Sequence, residues 1–357
     1  MKKYLSVIVA VVMLISIICM AGCGKGENQD NETTTQPTTQ EQGVKFGVGS
    51  FSAMTAADAE DESFPGEASL TTTVAAVILD ENGRIISCKL DSIESAIAFN
   101  VKGEVQTPTE SKSKYEQGYD YMMSVYGIWN DVNGDGLVKE WFEQADAFCN
   151  VAKGKTLDEL KAFVAETGKT SGELSTAGCT VNSYDFIKAV EKAVNNATVT
   201  TANENDTIRL GFAPSAKTTN ATADEKGNIE ISFTISAVTL DENNKITDAW
   251  LDMATCTVEI DNKGVATTAG NKISTKKELG DNYHMASYGT DLNGDGVVLE
   301  WYKQAEVFEN ACIGKTADEI SALVVNGYQG NAEVQSAGCT IAVSDFAKAM
   351  IKASTVA

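Results

Sequence analysis

Residues 131–189 and 291–349 are one segment written twice, without a gap, at a constant spacing of 160. Of the 59 aligned positions 28 are identical, which excludes chance at this length and makes the chain a tandem duplication. Any fold for this chain must therefore be buildable twice, and any function must explain what both copies keep. Three features recur: a DxNxDG loop closed by Glu-Trp, a helix pair joined by Gly-Lys-Thr, and an Ala-Gly-Cys-Thr turn that runs into the last helix.

The duplicated segments are preceded by strand patterns. Thr71 to Leu79 is rich in β-branched residues, Asp80-Glu-Asn-Gly83 supplies a turn, and Arg84 to Leu90 returns as the partner strand. The second copy repeats this hairpin with Ile231 to Leu240, Asp241 to Asn244 and Lys245 to Leu251. A further short strand pair is expected in each copy, around Ala96 to Val105 and Cys256 to Ala266.

Short helices are expected over Lys112 to Tyr126 and Lys276 to Tyr288. Trp141, Ala145, Phe148 and Ala152 then fall at helical spacing, as do Trp301, Ala305, Phe308 and Cys312, which predicts one core-facing stripe per helix. Gly154 and Gly314 end these helices, and Thr156-x-x-Glu159 and Thr316-x-x-Glu319 are capping boxes for the next. The closing helices carry Phe186, Ala189, Val190 and Ala193, or Phe346, Ala349, Met350 and Ala353. Each repeat is thus an antiparallel sheet followed by several helices, an α+β unit. The first spans 44–200 and the second 205–357, each long enough to bury its own core, with the joint at 198–206.

Residues 1–22 place Lys2 and Lys3 before an apolar run that ends in Met20-Ala21-Gly22-Cys23, the layout of an export signal. Those last four residues resemble the bacterial lipoprotein signal, in which the cysteine after the cleavage point is lipid-modified, here Cys23. An uncleaved transmembrane anchor is the alternative. The following polar stretch completes 23–43 as a disordered tether to the membrane. A formal charge of −22 argues against nucleic acid as a partner and favours cations. Beyond Cys23 lie Cys88, Cys149, Cys179, Cys256, Cys312 and Cys339, of which only Cys179 and Cys339 are equivalent. That irregular placement predicts buried thiols and no shared disulfide framework.

Several chemistries are excluded. His284 is the only histidine, so no Ser-His-Asp triad, Cys-His dyad or His-rich zinc site exists in both copies. Gly154-Lys155-Thr156 lacks the glycine a P-loop needs five residues earlier, where Cys149 and Glu309 stand. No acid pair stands out for acid/base work, although a carboxylate hydrolase stays open.

Two sites repay attention. In Asp131-Val-Asn133-Gly-Asp135-Gly136 the alternating oxygen-bearing side chains can converge on a cation, with the Leu137 carbonyl facing inward. The closing acid is Glu140, at position 10, so the loop resembles the extracellular Excalibur-type calcium motif rather than an EF-hand. The same roles fall to Asp291, Asn293, Asp295, Val297 and Glu300, and the expected calcium is structural. An Asx-rich turn without metal is the alternative.

The second site is Ala177-Gly178-Cys179-Thr180-Val181-Asn182-Ser183, which resembles the Ser-Gly-Ala-Thr-x-Thr-Ser signature of the FMN-binding domain family of extracytoplasmic flavoproteins. The preceding hairpin and the following helix resemble that family as well. The resemblance implies that Thr180 and Thr340 are esterified to FMN by a flavin transferase, with Gly178, Cys179, Gly338 and Cys339 around the cofactor. It also implies electron carriage between redox partners. Departures from the signature are Cys179, Asn182, and Ala342-Val343 in the second copy. The sequence thus points to a lipid-anchored flavin carrier outside the cytoplasm. The other reading is a calcium-stabilised surface binding or structural module without a cofactor.

Overall fold

A computed structural model describes residues 43–126, 138–268, 270, 273–289, 291 and 296–355. The expected export signal, Cys23 and nearly all of the expected tether lie outside these residues, as do Asp131, Asn133, Asp135, Leu137, Asn293 and Asp295.

In the first repeat, β1 (Lys45–Ala57), β2 (Gly66–Leu79) and β3 (Ile85–Phe99) form an antiparallel sheet in the order β3-β2-β1, extended by β4 (Thr198–Val199). β1 has a glycine at position 49 because helix packing demands it: a Cβ there would lie 2.4 Å from the Ala193 nitrogen. Short helical turns follow, α1 (Lys114–Gln117), a 3-10 turn over Gly118–Tyr121 and α2 (Met123–Tyr126). Then come α3 (Trp141–Ala152), α4 (Leu157–Lys161), α5 (Gly172–Thr176) and α6 (Tyr184–Asn195).

The second repeat copies this order. Its sheet contains β5 (Thr207–Thr219), β6 (Gly227–Leu240), β7 (Ile246–Ile260) and β8 (Ala266–Thr268). Its helices are α7 (Lys276–Leu279), α8 (Met285–Tyr288), α9 (Trp301–Cys312), α10 (Ala317–Ser321), α11 (Ala332–Ser336) and α12 (Ser344–Thr355). A minimal hairpin of β9 (Val324–Val325) and β10 (Gln329–Gly330) sits between α10 and α11. The protein is α+β, as the sequence pattern requires.

The central strands are apolar on both faces, and period 2 sorts their residues into two cores. Ala68, Leu70, Val74, Ala76 and Ile78 of β2 meet Ile229, Ile231, Phe233, Ile235 and Ala237 of β6 in a core between the sheets. The opposite parity, Ala75, Val77 and Leu79, packs beneath α3 and α6 with Trp141, Phe148 and Phe186. In the second repeat Val238 and Leu240 do the same with Trp301, Phe308 and Phe346. The layers therefore run helix, sheet, sheet, helix. Each repeat has a core of its own under its helices, and the largest core is shared between the two sheets. Both belong to one compact unit.

The duplication forms an internal two-fold with reciprocal contacts, like an isologous dimer fused into one chain. The Ala59 amide donates to the Gly264 carbonyl at 2.9 Å, and the equivalent Ala221 amide donates to the Gly103 carbonyl at 2.9 Å.

Two local expectations also change. The strand pairs expected after each hairpin are mostly continuations of β3 and β7, which run to Phe99 and Ile260. Past the turn only a single Phe99–Val105 bridge forms in the first repeat and three β7–β8 pairs in the second. The helices expected over 112–126 and 276–288 are broken, because Gly118 and Gly280 sit at φ +51° and +52° and Met122 and His284 at +58° and +60°. Positive φ interrupts a right-handed helix.

Candidate functional site

The stripe on α3 is interrupted by a glutamine that the periodic reading passed over. Gln144 is 1% exposed, and its side-chain oxygen accepts from the Thr180 and Val181 amides, both at 2.8 Å. The Thr180 hydroxyl also donates to that oxygen at 3.3 Å, while the Gln144 amide donates to the Lys139 carbonyl at 2.9 Å. The second repeat reproduces the arrangement: Gln304 accepts from Thr340 at 2.9 Å and Ile341 at 3.2 Å, with the Thr340 hydroxyl at 3.3 Å. A buried amide thus clamps the Ala-Gly-Cys-Thr turn to the helix. The signal was Glu-Trp-x-x-Gln, present in both copies at identical spacing.

Gly178 and Gly338 adopt φ +88° and +106°, the left-handed region open to glycine. Cys179 and Cys339 point into the helix-side cores, and burial pushes their thiols up to about 11 and about 12. They pack in these cores. Ser183 is buried too, but its hydroxyl donates to the Val181 carbonyl at 3.1 Å instead of capping α6. Thr180 and Thr340 are half-buried. What distinguishes the two turns is the neighbour above the glycine. Lys139 lies over Gly178 and donates to the Ala177 carbonyl at 2.8 Å, whereas Leu299 covers Gly338.

The closing acids of the calcium-type loops have defined partners. Glu140 is 1% exposed and accepts from the Met123 amide at 2.9 Å, the Ser124 amide at 3.1 Å, and the Ser124 hydroxyl. Glu300 accepts from Met285 at 2.9 Å and Ala286 at 3.1 Å. Each carboxylate therefore caps the short helix before its loop, in addition to any role toward a cation. Of the other expected ligands, Asp291 accepts from the Gly296 amide at 2.7 Å, which draws the first and sixth loop positions together. Val297 is exposed.

Two buried carboxyls were not singled out by sequence. Asp91 and its equivalent Asp252 lie mid-strand on β3 and β7 and accept the Tyr115 amide at 3.2 Å and the Lys277 amide at 2.9 Å. Burial pushes Asp91 up to about 7 and Asp252 to about 6, against hydrogen bonds from Ser113 and Thr275 that favour ionisation. His284, the lone histidine, is exposed.

Between the repeats, β1 and β7 border a cleft of about 420 Å³ whose walls include Trp250, Tyr302, Asn196, Asn310 and Glu306. Beside it lies a cleft of about 250 Å³ lined by Gly49, Ser50, Trp250, Asp252 and Lys277, whose two-fold-related position, between β5 and the first repeat, closes to about 20 Å³ around Arg209 and Phe212. Strand register makes Ser50 the equivalent of Phe212, so a smaller residue stands on the open side of that pair.

No protein-family model, curated protein or solved structure matches the chain.

Proposed function

We propose that this protein is a lipid-anchored, extracytoplasmic carrier of covalently attached FMN, with Thr180 of the first repeat as the attachment point. The observation that carries the reading is the Lys139 ammonium lying over the Gly178 turn, two residues from a half-buried threonine hydroxyl. A phosphodiester at Thr180 would carry a negative charge, and a cation beside it offsets that charge. The residues present therefore fit the group in the first repeat. In the second repeat Leu299 occupies the cation's place, which disfavours Thr340. FMN, when bound, supplies the redox chemistry of its ring. The chain's own residues hold the linkage: Gln144 orients the Thr180 oxygen, Gly178 permits the tight turn, and Lys139 neutralises the phosphate. A flavin transferase and soluble or membrane redox partners are the implied partners.

The test is intact mass and visible absorption of protein made in a host that has the flavin transferase. One FMN per chain, lost in Thr180→Val and kept in Thr340→Val, is the expected result. A colourless protein at the bare lipoprotein mass would overturn it.

A second reading, a surface binding module without cofactor, is favoured by the cleft of about 420 Å³ between β1 and β7. Trp250 and Tyr302 beside Asn196, Asn310 and Glu306 combine flat apolar faces with amide and carboxylate groups, a lining suited to a polar ring such as a sugar. Thermal shift against a panel of surface glycans, with Trp250→Ala as control, examines it. No stabilisation by any glycan, or an equal shift in the variant, would remove it.

A further inference from the structure

Cys88 on β3 and Cys149 on α3 are both buried, and their sulfurs stand 3.2 Å apart across 61 residues of sequence. Unbonded carbon atoms in ordinary contact keep about 3.5 to 4.0 Å, and sulfur is larger, so the Cys149 thiol, which donates to the Cys88 sulfur, is held close for two sulfurs. These two sulfurs are the only cysteine pair in contact among the described residues. Lys89 and Asp146 flank them, and no cation or polar partner separates the two thiols. The second repeat has the same β-strand and helix at this place but no thiols: strand register makes Ala249 the equivalent of Cys88, and Glu309 replaces Cys149. There the helix is tied to the strand by another device, Glu309 accepting from the Leu251 amide at 2.5 Å and from Lys277 at 2.7 Å. Where the second repeat ties β7 to α9 through a carboxylate that accepts a strand amide, the first places two sulfurs in contact.

We propose that Cys88 and Cys149 are joined by a disulfide in the mature protein, fastening β3 to α3. This rests on export to an oxidising compartment and not on flavin attachment. Two thiols lose two protons and two electrons as the S–S bond forms. A small-molecule disulfide, oxidised glutathione for example, accepts the electrons as its own S–S bond breaks to two thiols. Burial and the adjoining Cys88 hold the Cys149 thiol well above its usual range, so thiolate is scarce once the pair is enclosed. Oxidation therefore belongs to folding, before α3 closes over β3, and the finished bond is shielded from reductant.

The experiment uses the full chain, isolated after export and also refolded with oxidised and reduced glutathione. Free thiols are alkylated in denaturant and the tryptic peptides are mapped without reduction. A linked pair of peptides 85–89 and 140–153, with Cys179, Cys256, Cys312 and Cys339 alkylated, is the expected result. The oxidised protein should melt several degrees above the reduced form, a difference that Cys149→Ser abolishes. Cooperatively melting protein from both preparations in which Cys88 and Cys149 are fully alkylated, or are linked to other cysteines, overturns the proposal. Loss of colour or of any bound group has no bearing on this readout.

Discussion

Lys352 on α12 reaches Glu116 on α1 at 2.7 Å, and across the two-fold Lys192 on α6 makes the same ion pair with Glu278 on α7. These reciprocal clips sit at the rim of the shared core, where the apolar faces of β2 and β6 cover each other. The core supplies most of the free energy and the clips fix the orientation. Glu116→Gln should cost less than about 1 kcal/mol, since such pairs at partly exposed sites contribute little. Splitting the chain at 200 should instead leave 44–200 aggregated or unfolded, because Leu70, Val74 and Ile78 would face water. Calorimetry of the full chain should give one transition. A monomeric, cooperatively melting 44–200 fragment would contradict the shared-core account.

Gln144 is the group whose loss should be felt most in the turn. Gln144→Ala leaves the Thr180 and Val181 amides without their acceptor in a largely enclosed place, at a cost of roughly 2 to 4 kcal/mol. Gln304→Ala should cost about the same, because the geometry is repeated. Denaturant melts check both, and a loss below ~1 kcal/mol in each would mean that water replaces the amide oxygen without penalty. Gln144→Glu keeps an acceptor, so it should recover part of the stability at neutral pH.

The periodic signals were legible because they depend on local spacing alone. Hairpins, the Trp141 and Trp301 helices and the Thr156 and Thr316 capping boxes all lie where the residue pattern puts them. What stayed hidden depends on which faces meet in three dimensions. Even-numbered apolar residues of β2 could have packed under helices or against water, and only the sheet-to-sheet arrangement gives them to β6. Gln144 reads as a polar break in an apolar stripe until its turn is seen beneath it. Asp91 reads as a solvent-facing strand residue until α1 covers it. The Cys88–Cys149 contact joins residues too far apart in sequence for spacing to reveal, and the absence of a matching pair in the second repeat hid it further.

Calcium should raise the melting temperature. The expected ligands Asp131, Asn133, Asp135, Leu137 and Glu140, with Asp291, Asn293, Asp295, Val297 and Glu300, suit the millimolar calcium outside cells, with affinities of order 10⁻⁴ to 10⁻³ M. A cation bound only by the folded form stabilises it as its concentration rises. Melting with calcium against chelator, repeated on Asp135→Ala combined with Asp295→Ala, is the measurement. Glu140→Gln separates the acid's two roles: the Met123 and Ser124 amides bond to different carboxylate oxygens, one of which becomes an NH₂ donor, so this variant should be destabilised even in chelator. A wild type that melts identically with and without calcium would leave Glu140 and Glu300 as helix caps only.

Stability should fall as pH rises from about 4 to about 7. Asp91 titrates near 3.8 in its ordinary state and is raised to about 7 by burial beneath α1, with Asp252 raised to about 6 in the same way. The folded protein holds protons that the unfolded chain releases near pH 4, so their stabilising contribution is complete below that pH and is lost as pH climbs through the folded values. Each such carboxyl adds a slope of roughly 1.4 kcal/mol per pH unit within its window. Burial raises Asp185 and Glu309 as well, in the same direction. Glu159, Glu319, Asp241 and Asp261 are lowered by hydrogen bonds and act oppositely, losing their contribution only as pH drops through their depressed values. Between pH 4 and 7 the raised group therefore sets the sign. Urea melts at half-unit steps should show this decline in the wild type and a shallower one in Asp91→Asn, whose neutral amide mimics the protonated acid. A stability that rises across that window, or an unchanged slope in Asp91→Asn, would mean that Asp91 is ionised in the folded protein and held by the Ser92 and Tyr115 amides instead.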